Sequence, residues 1–149
     1  MILTYPNRFL KIKTKGVFEF NKDLIKIINE MKKIMVEYQG VGLAANQIGL
    51  DLSLFIAKPK EKFYVFINPN IISYEDEEIK EEGCLSIPHK WGLVKRFKRI
   101  KVEYQDIKGK KKKSNFSGLL SHIIQHEVDH LNGILFIDKA IEIYEIENG

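Results

Sequence analysis

From Asn21 onward, apolar residues fall at three- and four-residue spacings: Leu24, Ile27, Ile28, Met31, Ile34, Met35 and Tyr38, with Lys and Glu between them. That spacing predicts an amphipathic helix with one buried face. Asn21 is its expected N-cap and Gly40 its expected stop. The pattern then changes. A glycine-rich stretch from Gly40 to Gln47 leads into short apolar runs at 52–57 and 63–68, separated by Lys58-Pro59-Lys60-Glu61, as strands joined by a turn would be. Segments 71–74 and 83–87 read as further strands. Ile100, Val102 and Tyr104 alternate with polar residues as on a half-buried strand. Asp106-Ile107-Lys108-Gly109 reads as a hairpin turn. A second helical pattern runs from Gly118 to Leu131, with Ser117 as its cap and Asn132-Gly133 as its end. Two helices thus bracket a run of strands, and the expected class is α+β, with mixed, mostly antiparallel sheets packed around the second helix.

Composition narrows the class of protein. A chain of 149 residues at 44% hydrophobic supports one compact domain, expected to span 1–149. No internal repeat or Pro- or Ser-rich linker divides it. The N-terminus lacks the basic region and apolar run of a signal peptide, and no apolar stretch approaches a membrane span. A single cysteine forms no internal disulfide, so a reducing compartment, the cytoplasm, is expected. The net charge of +4 is modest and calls for neither DNA nor a membrane as partner. Its densest run, Lys108-Gly109-Lys110-Lys111-Lys112-Lys113, reads either as a contact for RNA phosphates or as a solvated hairpin tip, and charge runs are usually the latter.

Candidate chemistry concentrates on the second helix, in His126-Glu127-Val128-Asp129-His130. Positions i and i+4 share a helix face, so His126 and His130 can hold one metal ion, with Glu127 beside them to take a proton from water. This H-E-x-x-H helix becomes the expected centre of the fold. Two histidines leave a divalent ion short of protein donors. Cys84, His89, His122 or a carboxylate are the candidates for the third. Read alone, a lone cysteine is more often a small buried hydrophobe.

Three segments resemble the signature motifs of the peptide deformylases. Gly40 to Gln47 resembles the family's G-x-G-x-A-A-x-Q, Glu82-Gly83-Cys84-Leu85-Ser86 its E-G-C-x-S, and Gln125 to His130 its Q-H-E-x-D-H, in the family's order and near its spacing. The resemblance covers nearly the whole chain. It implies a hydrolase that removes the N-formyl group from the initiator methionine of newly made proteins and releases formate. It also implies Cys84, His126 and His130 as metal ligands and Glu127 as general base and acid. Gln47 and the backbone N–H of Leu85 would be donors to the developing oxyanion. Val41, Gly42, Gly83, Leu119 and Ile123 would hold the substrate, although periodicity alone reads Val41, Leu119 and Ile123 as ordinary core. Cysteine and histidine donors suggest zinc, whereas the resemblance implies Fe(2+) as the native ion, with Zn(2+), Ni(2+) or Co(2+) able to occupy the same site.

Several positions depart from the family pattern. His122 is expected at the pocket rim, Trp91 stands where some relatives carry arginine, and Lys80 stands where several are aliphatic. The tail after His130 is short and alternates Ile with Glu or Tyr in a strand-like way. The long C-terminal helix that serves ribosome association in many relatives is therefore expected to be missing. A monomer that meets its substrate in transient proximity to the ribosome is the expectation, in a bacterial cytoplasm, phage-infected or not. Two other classes stay open at this point: a zinc-dependent endopeptidase, and a non-catalytic binder of formylated N-termini.

Overall fold

A computed structural model describes residues 1–145. Helix α1 (Lys22–Glu37) begins where the sequence predicts, with the Asn21 side-chain oxygen accepting from the Leu24 N–H at 3.1 Å. Leu24, Ile28, Met31, Ile34 and Met35 form its buried face. Its end differs from the expectation. Gln39 takes the left-handed backbone, φ 57°, while Gly40 is needed for space: a Cβ there would meet Leu85 Cδ1 at 2.8 Å.

Six strands follow: β1 (Gly42–Ala44), β2 (Leu54–Ala57), β3 (Tyr64–Cys84), β4 (Ile87–Gln105), β5 (Lys111–Ser117) and β6 (Glu142–Glu145). They make one sheet in the order β1-β2-β3-β4-β5, with β6 also on β4, and every pairing among the described residues is antiparallel. Segments 71–74 and 83–87 are therefore not separate strands. They belong to one long β3–β4 hairpin that turns at Leu85-Ser86. Register shifts between Ile67 and Asn70, Ile71 and Ser73, and Glu82 and Cys84 break the period-2 pattern from which strands are read. Asp106 closes the β4–β5 turn, its carboxylate accepting from the N–H groups of Lys108 and Lys110, and Lys110 to Lys113 are exposed there. Strand β5 is an outer strand, and lysines on such an edge discourage further strand pairing.

Helix α2 (Gly118–Leu131) packs Ile123, Ile124 and Leu131 against Ala44, Phe55, Phe66, Ile100 and Val102. Ser117 holds the N-cap position without a side-chain capping bond. A second cluster joins α1 to β1 and β2, and a smaller one gathers Leu10, Ile87, Val94, Leu135 and Phe136 near the short helix α3 (Phe136–Lys139). The strand-like reading of the tail holds for β6; residues 146–149 lie outside the described residues. No helix among the described residues is long and apolar enough to cross a membrane. Most informative is α2 itself. Gln125, Glu127, Asp129 and His130 are nearly as buried as Ile123, Ile124 and Leu131, so each of their polar atoms either finds a partner within the protein or is left without one.

Candidate metal centre

The β3–β4 turn brings Cys84 to the face of α2 that carries His126 and His130. Cys84 Sγ lies 3.2 Å from His130 Nε2, and one donor atom from each of the three residues falls within 4.8 Å of the others. The remaining candidates for a third donor are elsewhere: His89 is exposed on β4, and His122 Nε2 is 2.8 Å from Glu78. A thiol and two imidazoles are the donor set of a transition-metal site. His130 fits that use further. Burial first, then the neighbouring His126, push its pKa well down, leaving the neutral ring that donates a lone pair to a cation.

Behind the donors runs a buried ionic chain. His126 Nδ1–H donates to Glu82 Oε1 at 2.8 Å. Both Glu82 oxygens accept from Arg96, Nε at 2.6 Å and Nη2 at 2.9 Å. Arg96 Nη1 then donates to Asp129 at 2.7 Å, and Asp129 also accepts from Lys139 at 2.9 Å. Burial opposes ionisation of Glu82, but the hydrogen bonds from Arg96 and His126 outweigh it and hold the carboxyl down at about 2. An anchored Nδ1–H aims Nε2 of His126 into the cluster. Glu82→Gln is accordingly expected to weaken metal binding about 10- to 100-fold, the usual cost of losing such a partner; competition with a chelator measures it. Asn46 makes a similar anchor for the helix end, donating to the His130 carbonyl at 2.6 Å.

Beside the donors sits Glu127. Its side chain is buried, its Oε1 has no hydrogen-bond partner among the described residues, and burial raises its pKa to about 7. Gly42 makes room for it: a Cβ at that position would lie 2.5 Å from Glu127 Oε2 and 2.9 Å from Ile123 Cγ2. Gly42→Ala should thus displace the carboxyl and lower kcat by at least about tenfold, with a small change in stability, because misplacing a reacting group by about 1 Å costs up to 100-fold. Steady-state kinetics beside thermal unfolding separates the two effects. Gln47, on a single 3-10 turn (Ala45–Ile48), is fixed at both ends of its amide. Oε1 accepts from the Ala44 N–H at 2.9 Å, and Nε2 donates to Ser86 Oγ at 3.0 Å, 3.7 Å from Cys84 Sγ. One amide hydrogen is therefore committed to Ser86 and the other turns toward the cluster.

A cleft of about 840 Å³ opens over these groups, lined by Val41, Gly42, Gly83, Leu119 and Ile123 together with Leu85, His122, Trp91 and Lys80. Val41 and Leu119 are 49% and 52% exposed, so they are not core, whatever their periodicity. The residues from residue 1 to residue 145 match the family model for polypeptide deformylase. The chain belongs to the polypeptide deformylase family. It is 40% identical over 143 residues to a peptide deformylase of Desulfotalea psychrophila, covering 92% of this chain and 85% of that protein. To one of Thermoanaerobacter pseudethanolicus it is 45% identical over 138 residues, covering 93% and 87%. The solved peptide deformylase of Thermotoga maritima superposes with a TM-score of 0.93 at 37% identity, over 95% of this chain and 97% of that one. As a deformylase it is a metal-dependent hydrolase that removes the N-formyl group from nascent polypeptides. The endopeptidase and the non-catalytic binder give way to that reading.

All eleven residues expected at the deformylase site stand at this cluster or along its cleft. Sequence reasoning missed the supports: Arg96, Asn46, Ser86, and the parts taken by Glu82 and Asp129. For all but Arg96 a signal existed, since Asn46, Glu82, Ser86 and Asp129 lie inside the quoted motifs with no partner assigned.

Proposed function

We propose that Cys84, His126 and His130 hold one divalent ion, Fe(2+) in the cell, and that Glu127, Gln47 and Leu85 use the site to hydrolyse N-formylmethionyl peptides to formate and a free amine. One observation carries this reading: three donors from two distant segments converge within 4.8 Å, beside a buried carboxyl that has an oxygen to spare. A thiolate with two imidazoles suits Fe(2+), Zn(2+), Ni(2+) or Co(2+), and a reducing cytoplasm protects the first of these. When bound, the ion supplies a Lewis acid that acidifies water and polarises the formyl oxygen.

The chain's own groups do the rest. Glu127, with a pKa near 7, takes a proton from the attacking water and returns it to the departing amine nitrogen. Gln47 Nε2–H and the Leu85 N–H donate to the oxygen on which negative charge builds, and the fixed Gln47 amide means little reorganisation as it does so. The edge of β3 from Glu78 to Gly83, left unpaired among the described residues, lines the cleft together with Val41 and accepts an extended peptide by main-chain hydrogen bonds. The apolar faces of Val41, Leu119 and Ile123 take the methionine side chain. The protein acts as a single-domain monomer in the cytoplasm and meets its substrate near the ribosome.

Anaerobically purified protein should release formate from formyl-Met-Ala-Ser in proportion to its metal content by elemental analysis, and leave internal peptide bonds intact. Full metal occupancy without formate would overturn the proposal.

A further inference from the structure

The end of the β3–β4 hairpin away from Cys84 carries a basic surface that the hydrolysis does not use. Lys108, Lys110, Lys111, Lys112 and Lys113 are all exposed there. The nearby carboxylates are already engaged: Asp106 accepts from the N–H groups of Lys108 and Lys110, and Glu103 pairs with Lys113 at 3.3 Å. The ammonium groups of Lys108, Lys110, Lys111 and Lys112 have no ion-pair partner among the described residues. Charge runs are usually only solvated. Here an aromatic ring stands with them. Phe18 is 88% exposed, and the loop that presents it is fixed to the lysine turn. The Val17 N–H donates to Asn68 Oδ1 at 2.8 Å, and Asn68 Nδ2 donates back to the Val17 carbonyl at 2.8 Å. Asn68 Nδ2 also donates to Gln105 Oε1 at 2.7 Å, and Gln105 Nε2 to the Gly109 carbonyl at 3.0 Å. Phe20 closes the connection, since a Cβ on Gly109 would lie 3.1 Å from its Cδ2. A free aromatic face held at the same end as unpaired cations is the combination that binds single-stranded nucleic acid, with phosphates on the cations and a base on the ring. A bilayer fits less well. Membrane attachment scales with buried apolar area, and on this surface Phe18 and Ile107 each stand next to a carboxylate, Glu19 and Asp106.

We propose that this surface binds an unpaired stretch of RNA, with Lys108, Lys110, Lys111 and Lys112 on its phosphates and Phe18 stacked on one base. Strand β5 sets the path. Its outer edge is unpaired among the described residues, and successive lysines along it point to opposite faces, so a strand lying on that edge meets cations on both sides. The surface lies at the open end of the hairpin, where Ile67 faces Gln105, whereas Cys84 faces Ile87 beside the turn. RNA held there leaves the cleft free for peptide. Lysines that only blunted the sheet edge would need no ring beside them, and the two roles are measurably different.

The test titrates the metal-loaded full chain into a fluorescein-labelled oligouridine of about 12 nucleotides and follows anisotropy across a salt series. For wild type, log Kobs should fall against log[salt] with a slope of about −2.8, as four phosphates at about −0.7 each require. The triple variant Lys110→Ala, Lys111→Ala, Lys112→Ala should bind at least about tenfold more weakly in about 50 mM salt, with a slope near −0.7. Phe18→Ala should weaken binding about five- to 150-fold, the loss of one stacked base, and leave the slope unchanged. A control triple with the same change in charge, Lys26→Ala, Lys33→Ala, Lys60→Ala, should stay within about twofold of wild type. All variants should release formate from formyl-Met-Ala-Ser as wild type does, which shows that they are folded and that the surface is separate from the cleft. No binding by wild type at about 100 μM protein, an equal loss in the control triple, or a Phe18→Ala variant that binds like wild type overturns the proposal. So does binding to phosphatidylglycerol-containing vesicles that displaces the oligonucleotide, which would assign the surface to a membrane. The oligonucleotide titration needs no turnover, so absence of formate from wild type would sink the deformylase reading and leave this one to stand or fall by itself.

Discussion

Glu127→Gln is expected to lower kcat by about 100- to 10,000-fold, the range for losing a positioned general acid–base group. Metal content and KM should stay near wild type. The substitution keeps the volume of the side chain in its tight place against Gly42, so packing is preserved while the proton acceptor is lost. Formate release under saturating peptide, read beside elemental analysis, is the measurement. A variant that retained most of its activity would remove Glu127 from the proton transfers.

Arg96→Leu should produce the largest loss of stability, about 3–5 kcal/mol, because truncating one member of a buried ion cluster leaves its partners charged and uncompensated. Arg96 is 2% exposed and joins Glu82 on β3 to Asp129 on α2. Without the guanidinium those two carboxylates face each other across a dry interior. Urea unfolding of the wild type and the variant gives the difference directly. A triple variant adding Glu82→Gln and Asp129→Asn should recover part of it, since the stranded charges go with the cation. A loss below about 1 kcal/mol, the scale of a surface ion pair, would show that water reaches the cluster.

The two helices were legible because each writes its face in neighbouring residues. Leu24 to Met35 state the buried side of α1 within four turns, and His126 and His130 state a shared side of α2 within one. The far half of the β3–β4 hairpin was not. From Ser73 to Glu81 every residue is exposed or half-exposed, so no apolar alternation marks a strand, although the pairing with β4 keeps one register there despite the positive φ at Asp76. Arg96 was hidden for a different reason. In Lys95-Arg96-Phe97-Lys98-Arg99 three of the four cations are exposed and one is nearly inaccessible, and only the positions of Glu82 and Asp129 in space distinguish it. Val41 and Leu119 misled in the opposite sense. Their spacing marks a buried face, but that face opens onto a cleft, and periodicity does not separate a core from a pocket lining.

The distance along the chain between the donors also governs how the centre is assembled. Cys84 comes from a hairpin turn and the two histidines from a helix more than forty residues later. A site built from segments this remote is not present in the unfolded chain and exists only where the hairpin and the helix have come together. The ion should therefore load onto a chain whose topology is already set. By mass action it then deepens the native basin, so the melting temperature rises with free metal concentration.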